Sequence, residues 1–250
     1  MKLSVGLMLL ASLLGGCDNP PAPEKGFAGL GDQAVAFTPV VPGRTFSFPA
    51  DHGAHEGFRI EWWYVTANLK DAQGRDFGVQ WTLFRSALDA APQADGWRNQ
   101  TIWLGHAAVT SATVHHAAER YARGGVGQAG VQAVPFNAWI DDWQFGTQAS
   151  SADPLADMQL KAHDSRFSYA LRLTSTRPLV LQGDNGFSQK SEQGQASYYY
   201  SQPFFQASGQ LEIDGQRYTV SGPAWLDREW SSQPLTANQT GWDWFSLHLD

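Results

Sequence analysis

The chain has 250 residues, of which 13% are aromatic, including 11 Trp, and only 16% charged, with a formal net charge of −7. That length holds one large β domain or two modest ones around a sizeable core. No run of Lys or Arg occurs, so the electrostatic footprint of a nucleic-acid partner is missing. Rigid, flat, apolar side chains in this proportion point to a β-rich core or an apolar ligand pocket.

The N-terminus reads MKLSVGLMLLASLLGGCDNP. Lys2 supplies a positive start, and Leu3 to Leu14 is an apolar run too short to span a bilayer comfortably. Gly15 and Gly16 lead into Cys17, the only cysteine. Leu14-Gly15-Gly16-Cys17 resembles the lipobox of bacterial lipoproteins, which implies cleavage before Cys17 and acylation of that residue. The alternative is an ordinary secretory signal with an incidental cysteine. Asp18 resembles the inner-membrane retention signal of enteric bacteria. The expectation is a lipid-anchored protein on the periplasmic face of a bacterial envelope, with 1–16 a signal peptide. A chain whose one cysteine carries lipid has no disulfide, so its core must hold it together. Residues 17–43, with Pro20, Pro21, Pro23, Pro39 and Pro42, read as a semi-extended tether.

From there the pattern is that of strands. Phe58 to Leu69 and Phe77 to Ser86 are apolar runs joined by KDAQGRD, a hairpin. The first run is apolar on both faces, with Phe58, Ile60, Trp62 and Tyr64 on one and Trp63, Val65 and Leu69 on the other, so it is predicted to be covered twice. Glu61 falls on the face of Trp63. Further strands are predicted at 101–110, 138–145, 157–162, 166–173 and 178–182. Residues 206–213 and 216–222 form a second hairpin across Asp214-Gly215, a type I′ turn. Ser111 to Arg123 is the best candidate for a helix. Trp242 to Leu249 reads as a strand with nothing after it, an awkward edge that suggests a longer parent protein. Many short strands with turn signals imply an antiparallel barrel or strongly curved sandwich.

No G-x-S-x-G, H-E-x-x-H, Walker A or dinucleotide-binding pattern is present. No cofactor is expected. Four clusters remain. Asp51, His52, His55 and Glu61 carry metal-ligand types at loose spacing; the competing reading has both imidazoles bonded to loop backbone and Glu61 paired with Arg59 or Arg85. His106 lies in a strand of small apolar residues, where a lone His is usually a satisfied core group. Tyr198, Tyr199 and Tyr200 put two phenols on one face and one on the other. In WLDREWSSQ, Asp227 sits between Trp225 and Trp230. An apolar pocket there raises its pKa and makes it a general acid near neutrality, whereas pairing with Arg228 makes it structural.

DHGAHEGFRIEWWYVTANL, QWTLFR, GHAAVT, GDNGFSQK, ASYYYS, WLDREWSSQ and GWDWFSLHLD occur in this order. Together they resemble the AttH-type, lipocalin-like family that includes the carotenoid 1,2-hydratases. The resemblance implies two consecutive lipocalin-like halves, residues 44–230 being the first and 231–250 the start of the second. It also implies a cavity within or between barrels for a long apolar molecule. In the hydratases an aspartate protonates a terminal C=C bond and water captures the cation. Their Tyr-x-Asp element corresponds to Trp225-Leu226-Asp227, and their His-x-Trp element to Tyr198-Tyr199-Tyr200. The aspartate is kept; Trp stands for Tyr at 225, Tyr for His at 198 and Tyr for Trp at 200. The expected site has Asp227 as proton donor and Tyr198, Tyr200, Trp225, Glu61, Trp63 and His106 around an apolar, polyene- or isoprenoid-like ligand. The competing class is a non-catalytic lipid carrier or an accessory lipoprotein of a membrane transporter. A third class, a metal enzyme, would use His52, His55 and Glu61.

Overall fold

The computed structural model describes residues 37–148, 153–233, 239 and 243–247. The signal segment, Cys17 and most of the tether lie outside them. The described residues belong to one compact unit, Ala34–Asp250. They form a single antiparallel sheet whose strands are β1 (Ile60–Asp71), β2 (Asp76–Ala87), β3 (Thr101–Ser111), β4 (His115–Arg123), β5 (Ala129–Ala133), β6 (Phe136–Ile140), β7 (Trp143–Thr147), β8 (Asp157–His163), β9 (Phe167–Thr174), β10 (Val180–Leu181), β11 (Phe187–Gln189), β12 (Ala196–Ile213) and β13 (Gln216–Ser231). The pairing order is β4-β3-β2-β1-β13-β12-β9-β8-β7-β6-β5, with β10 and β11 added beside β12. The fold is all-β, and the sheet curls until it is nearly closed into a barrel.

Alternation explains the curl. Trp63, Val65, Ala67 and Leu69 of β1, Trp81 and Leu83 of β2, and Phe167, Tyr169, Leu171 and Leu173 of β9 all point into one core. β6 packs across β2, β3 and β4 to complete the wall. Gly105 permits this approach, because a Cβ there would lie 2.7 Å from Ile140 Cγ2. Arg120 of β4 reaches over the Trp143 ring to pair with Asp142. No strand ladder joins β4 to β5, so side chains make this seam.

Both hairpins form. Asp214 and Gly215 have φ of 49° and 80°, the positive pair a type I′ turn requires. Three expectations change. Ser111 to Arg123 is not a helix: β4 occupies 115–123, its Ala-rich sequence overridden by pairing along the whole of β3. The run 138–145 is two strands broken at Asp141, which has φ 52°. Residues 243–247 form no strand, and the rest of Trp242–Leu249 lies outside the described residues.

One end of the barrel is plugged. The segment before β1, with its 3-10 turn Ala50–His52, crosses this end. Its Phe46 and Phe48 lie against Tyr200, and Phe46 also meets Tyr198 and Trp230. Trp63 Nε1 donates to the His52 carbonyl at 2.9 Å.

Candidate functional site

Glu61 is fully buried and belongs to this plug. Its carboxylate accepts from the His55 backbone N–H at 2.9 Å and from Arg85 Nη1 at 3.1 Å, and pairs with Arg228 Nη2 at 2.5 Å. Of the arginines expected, Arg85 is bonded to it, joined by Arg228. Arg228 stacks its guanidinium 3.8 Å from the Trp63 ring, and Arg85 also donates to the carbonyls of Phe58 and Glu56. Burial opposes the Glu61 charge, but the guanidiniums of Arg228 and Arg85 and the His55 bond hold the carboxyl well below the usual range. His55 bridges Glu61 and Asp51 through its two ring nitrogens, at 3.2 and 3.0 Å, and lies flat on Trp230. Its ring therefore bonds carboxylates rather than loop backbone. His52 Nδ1 meets the Tyr200 hydroxyl at 2.7 Å, and burial pushes its pKa down to about 4. Among the described residues no three His, Cys, Asp or Glu side chains are arranged to hold a metal ion.

Asp227 lies on the opposite, outer face of the sheet. Register places His106, Thr82, Tyr64, Asp227 and Ser201 in one cross-strand row over β3, β2, β1, β13 and β12. Asp227 is nonetheless buried, at 2% exposure. Oδ1 accepts three bonds: from Ser201 Oγ at 2.5 Å, Tyr199 Oη at 2.7 Å and Trp225 Nε1 at 2.8 Å. Oδ2 is buried without a partner. Among the described residues no Arg or Lys is bonded to the carboxylate, and burial pushes its pKa up against the three donors. Burial beside this acid likewise raises the pKa of Tyr64 and Tyr199, so both phenols keep their protons.

Two residues along the strand, about 7 Å by strand rise, Glu229 faces the same way. It accepts from Ser197 and pairs with Lys190 Nζ at 2.8 Å. Burial raises this carboxyl as well, while the Lys190 ammonium opposes that rise by direct contact. Tyr64, Tyr199 and Trp225 are half-buried around the pair, and Trp244 lies edge-on to Tyr64 and reaches the Tyr199 hydroxyl at 3.4 Å.

The structure thus divides the expected site. Trp225 is with Asp227. Tyr198, Tyr200, Glu61 and Trp63 are on the inner face, in the plug and core, so the pocket expected to join Asp227 to Tyr198 or Tyr200 does not form; Tyr199 takes that place. His106 shares the outer face but lies three strands away, about 14 Å, against Phe84 and 3.6 Å from Glu119. The interior is filled by Trp63, Trp81, Trp143, Phe145 and their neighbours, a packed core rather than a ligand chamber. Sequence reasoning passed over Ser201, Ser197, Lys190 and Glu229; the i, i+2 acids of Asp-Arg-Glu were the available signal.

Fold and site together define a lipocalin-like, nearly closed β-barrel with a buried carboxylic acid on its outer wall. The chain belongs to the AttH-like family, whose model matches residues 39–250. It is similar to a solved protein of Nitrosomonas europaea assigned to AttH, with 37% identity, a TM-score of 0.67, and coverage of 81% of this chain and 60% of that one. Kievitone hydratase of Nectria haematococca shares the fold at 15% identity and a TM-score of 0.51, covering 81% of this chain and 58% of the hydratase. The chain therefore spans under two thirds of the length of either protein. No curated protein sequence matches it.

Proposed function

We propose that this is a membrane-anchored envelope protein that binds an apolar, polyene- or isoprenoid-like molecule at the outer wall of β12, β13 and β1 and adds water across one of its C=C bonds. The observation that carries this is the state of Asp227. One oxygen is saturated by three donors and the other is buried and free, so a proton held by this acid sits on Oδ2. Kievitone hydratase, a relative in fold, supports hydration as the reaction class. The signal and Cys17 pattern support the envelope location.

Chemically, Oδ2–H delivers its proton to one alkene carbon, forming a C–H bond and leaving a cation on the other. The faces of Tyr64, Tyr199 and Trp225 stabilise that cation. Water adds to it and passes its proton to Glu229, kept able to accept by Lys190. Proton return from Glu229 to Asp227 closes the cycle. Mass spectrometry of lipids co-purifying with the full chain identifies the ligand class. With that ligand, Asp227→Asn is expected to bind as wild type and to lose turnover. An unchanged turnover sinks the catalytic reading; binding without turnover in wild type leaves a carrier.

A further inference from the structure

The two ends of the barrel differ in what they expose. At the far end lie the turns between β1 and β2, β3 and β4, β8 and β9, and β12 and β13. Among the described residues, none of their large apolar side chains is exposed. At the plugged end, Val41, Phe48, Leu88, Trp97 and Val134 all are, Trp97 at 77%. Backbone geometry gathers them there. Leu88 N–H bonds Gln100 O, and Gly96 N–H bonds Gly125 O, so the loop carrying Leu88 and Trp97 sits where β2 ends and β3 begins. A Cβ on Gly53 of the plug would lie 3.0 Å from Ala133, which brings the β5–β6 turn and Val134 to the same rim.

The described chain also enters at this end. Thr38 N–H bonds Gly57 O, and Ser232 Oγ donates to Thr38 O. Nineteen residues lie between Cys17 and Phe37. Even fully extended, such a length of chain reaches no more than about 70 Å, so an anchor at Cys17 bounds how far this rim can stand from the bilayer.

We propose that the plugged end docks on a phospholipid bilayer, its rim of Val41, Phe48, Leu88, Trp97 and Val134 entering the headgroup region. This rests on the Cys17 anchor for proximity, while the attraction is the rim's own. Trp97 is the anchor residue, its indole suited to the boundary between water and acyl chains. Exposed Arg98 and Arg123 flank it, but Asp89 and Asp95 are exposed beside them, so apolar contact rather than net charge provides the attraction. Docked this way, the outer wall bearing Asp227 stands at the side of the barrel, reachable by a lipid-soluble molecule leaving the bilayer.

The single native cysteine makes the test clean. Full-length protein is reconstituted into phosphatidylethanolamine and phosphatidylglycerol vesicles with brominated acyl chains. One introduced cysteine, Trp97→Cys, Val134→Cys or Thr113→Cys, carries a fluorophore. The label at 97 or 134 is expected to lose most of its emission, and the label at 113, at the far end, to keep it. Equal quenching at both ends, or none at 97 and 134, overturns the docking. Wild type without an introduced cysteine reports on the anchor separately. If it takes the label, its Cys17 thiol is free and the anchor reading fails; the same measurements in a Cys17→Ser chain then decide the docking.

Discussion

Replacing Glu61 by Gln leaves Arg85 and Arg228 facing each other inside the plug with no anion between them. Both guanidiniums are buried, at 2% and 0% exposure, and Arg228 is pinned over Trp63, so neither can swing into water. Removing one partner of such a buried pair costs about 3–5 kcal/mol. That is a large share of the roughly 5–15 kcal/mol that holds a domain folded. With a urea slope of about 2 kcal/mol per molar, the midpoint should fall by about 2 M. The assay is urea unfolding of wild type and Glu61→Gln, followed by near-ultraviolet circular dichroism of the buried tryptophans. A chain with Glu61→Leu, Arg85→Leu and Arg228→Met together should recover part of the loss, because no charge is then left unpaired. A midpoint for Glu61→Gln within about 0.3 M of wild type, less than about 1 kcal/mol at the same slope, refutes the claim that this ion cluster holds the plug.

Below pH 6.5 the unfolded chain protonates His52 while the fold resists until about pH 4. Stability conferred by the neutral ring is therefore full above 6.5 and falls by about 3 kcal/mol on the way to pH 4; thermal melts of His52→Phe against wild type should show that difference closing as pH falls. Gly105→Val should cost about 1–3 kcal/mol through its clash with Ile140, read by chemical denaturation. Tyr199→Phe removes a donor to Oδ1 and should raise the Asp227 pKa further, visible as a shifted carboxyl band in infrared titration against an Asp227→Asn blank.

The strands were legible where burial enforces a strict period of two, as in β1, β2, β3 and β9. They were not where tertiary pairing overrides composition: β4 is rich in Ala, Glu and Arg, residues that favour a helix in isolation. β12 hid its length for another reason. A bulge between Gln202 and Phe205 switches which parity faces inward, from Tyr198 and Tyr200 to Phe205, Ala207 and Leu211. Read without that bulge, only residues 206–213 stood as a strand, and the tyrosine run was left separate from the hairpin. Asp227 itself stood out as an acid among tryptophans. Its companions Tyr199 and Ser201 come from a different strand, and cross-strand register is set by turns and bulges rather than by local composition.

The seam between β4 and the β5–β7 wall has a mechanical consequence. A barrel whose ladder closes has a fixed circumference, because widening it means breaking backbone bonds. Here, among the described residues, the ring is fastened by side chains such as Arg120 on Asp141, Asp142 and Trp143, with Ile140 seated over Gly105. The molecule is therefore a clasped cuff rather than a pipe. Its girth can yield at one line while every strand pair stays intact, and because Asp142 is exposed, salt in the surrounding fluid loosens that clasp first.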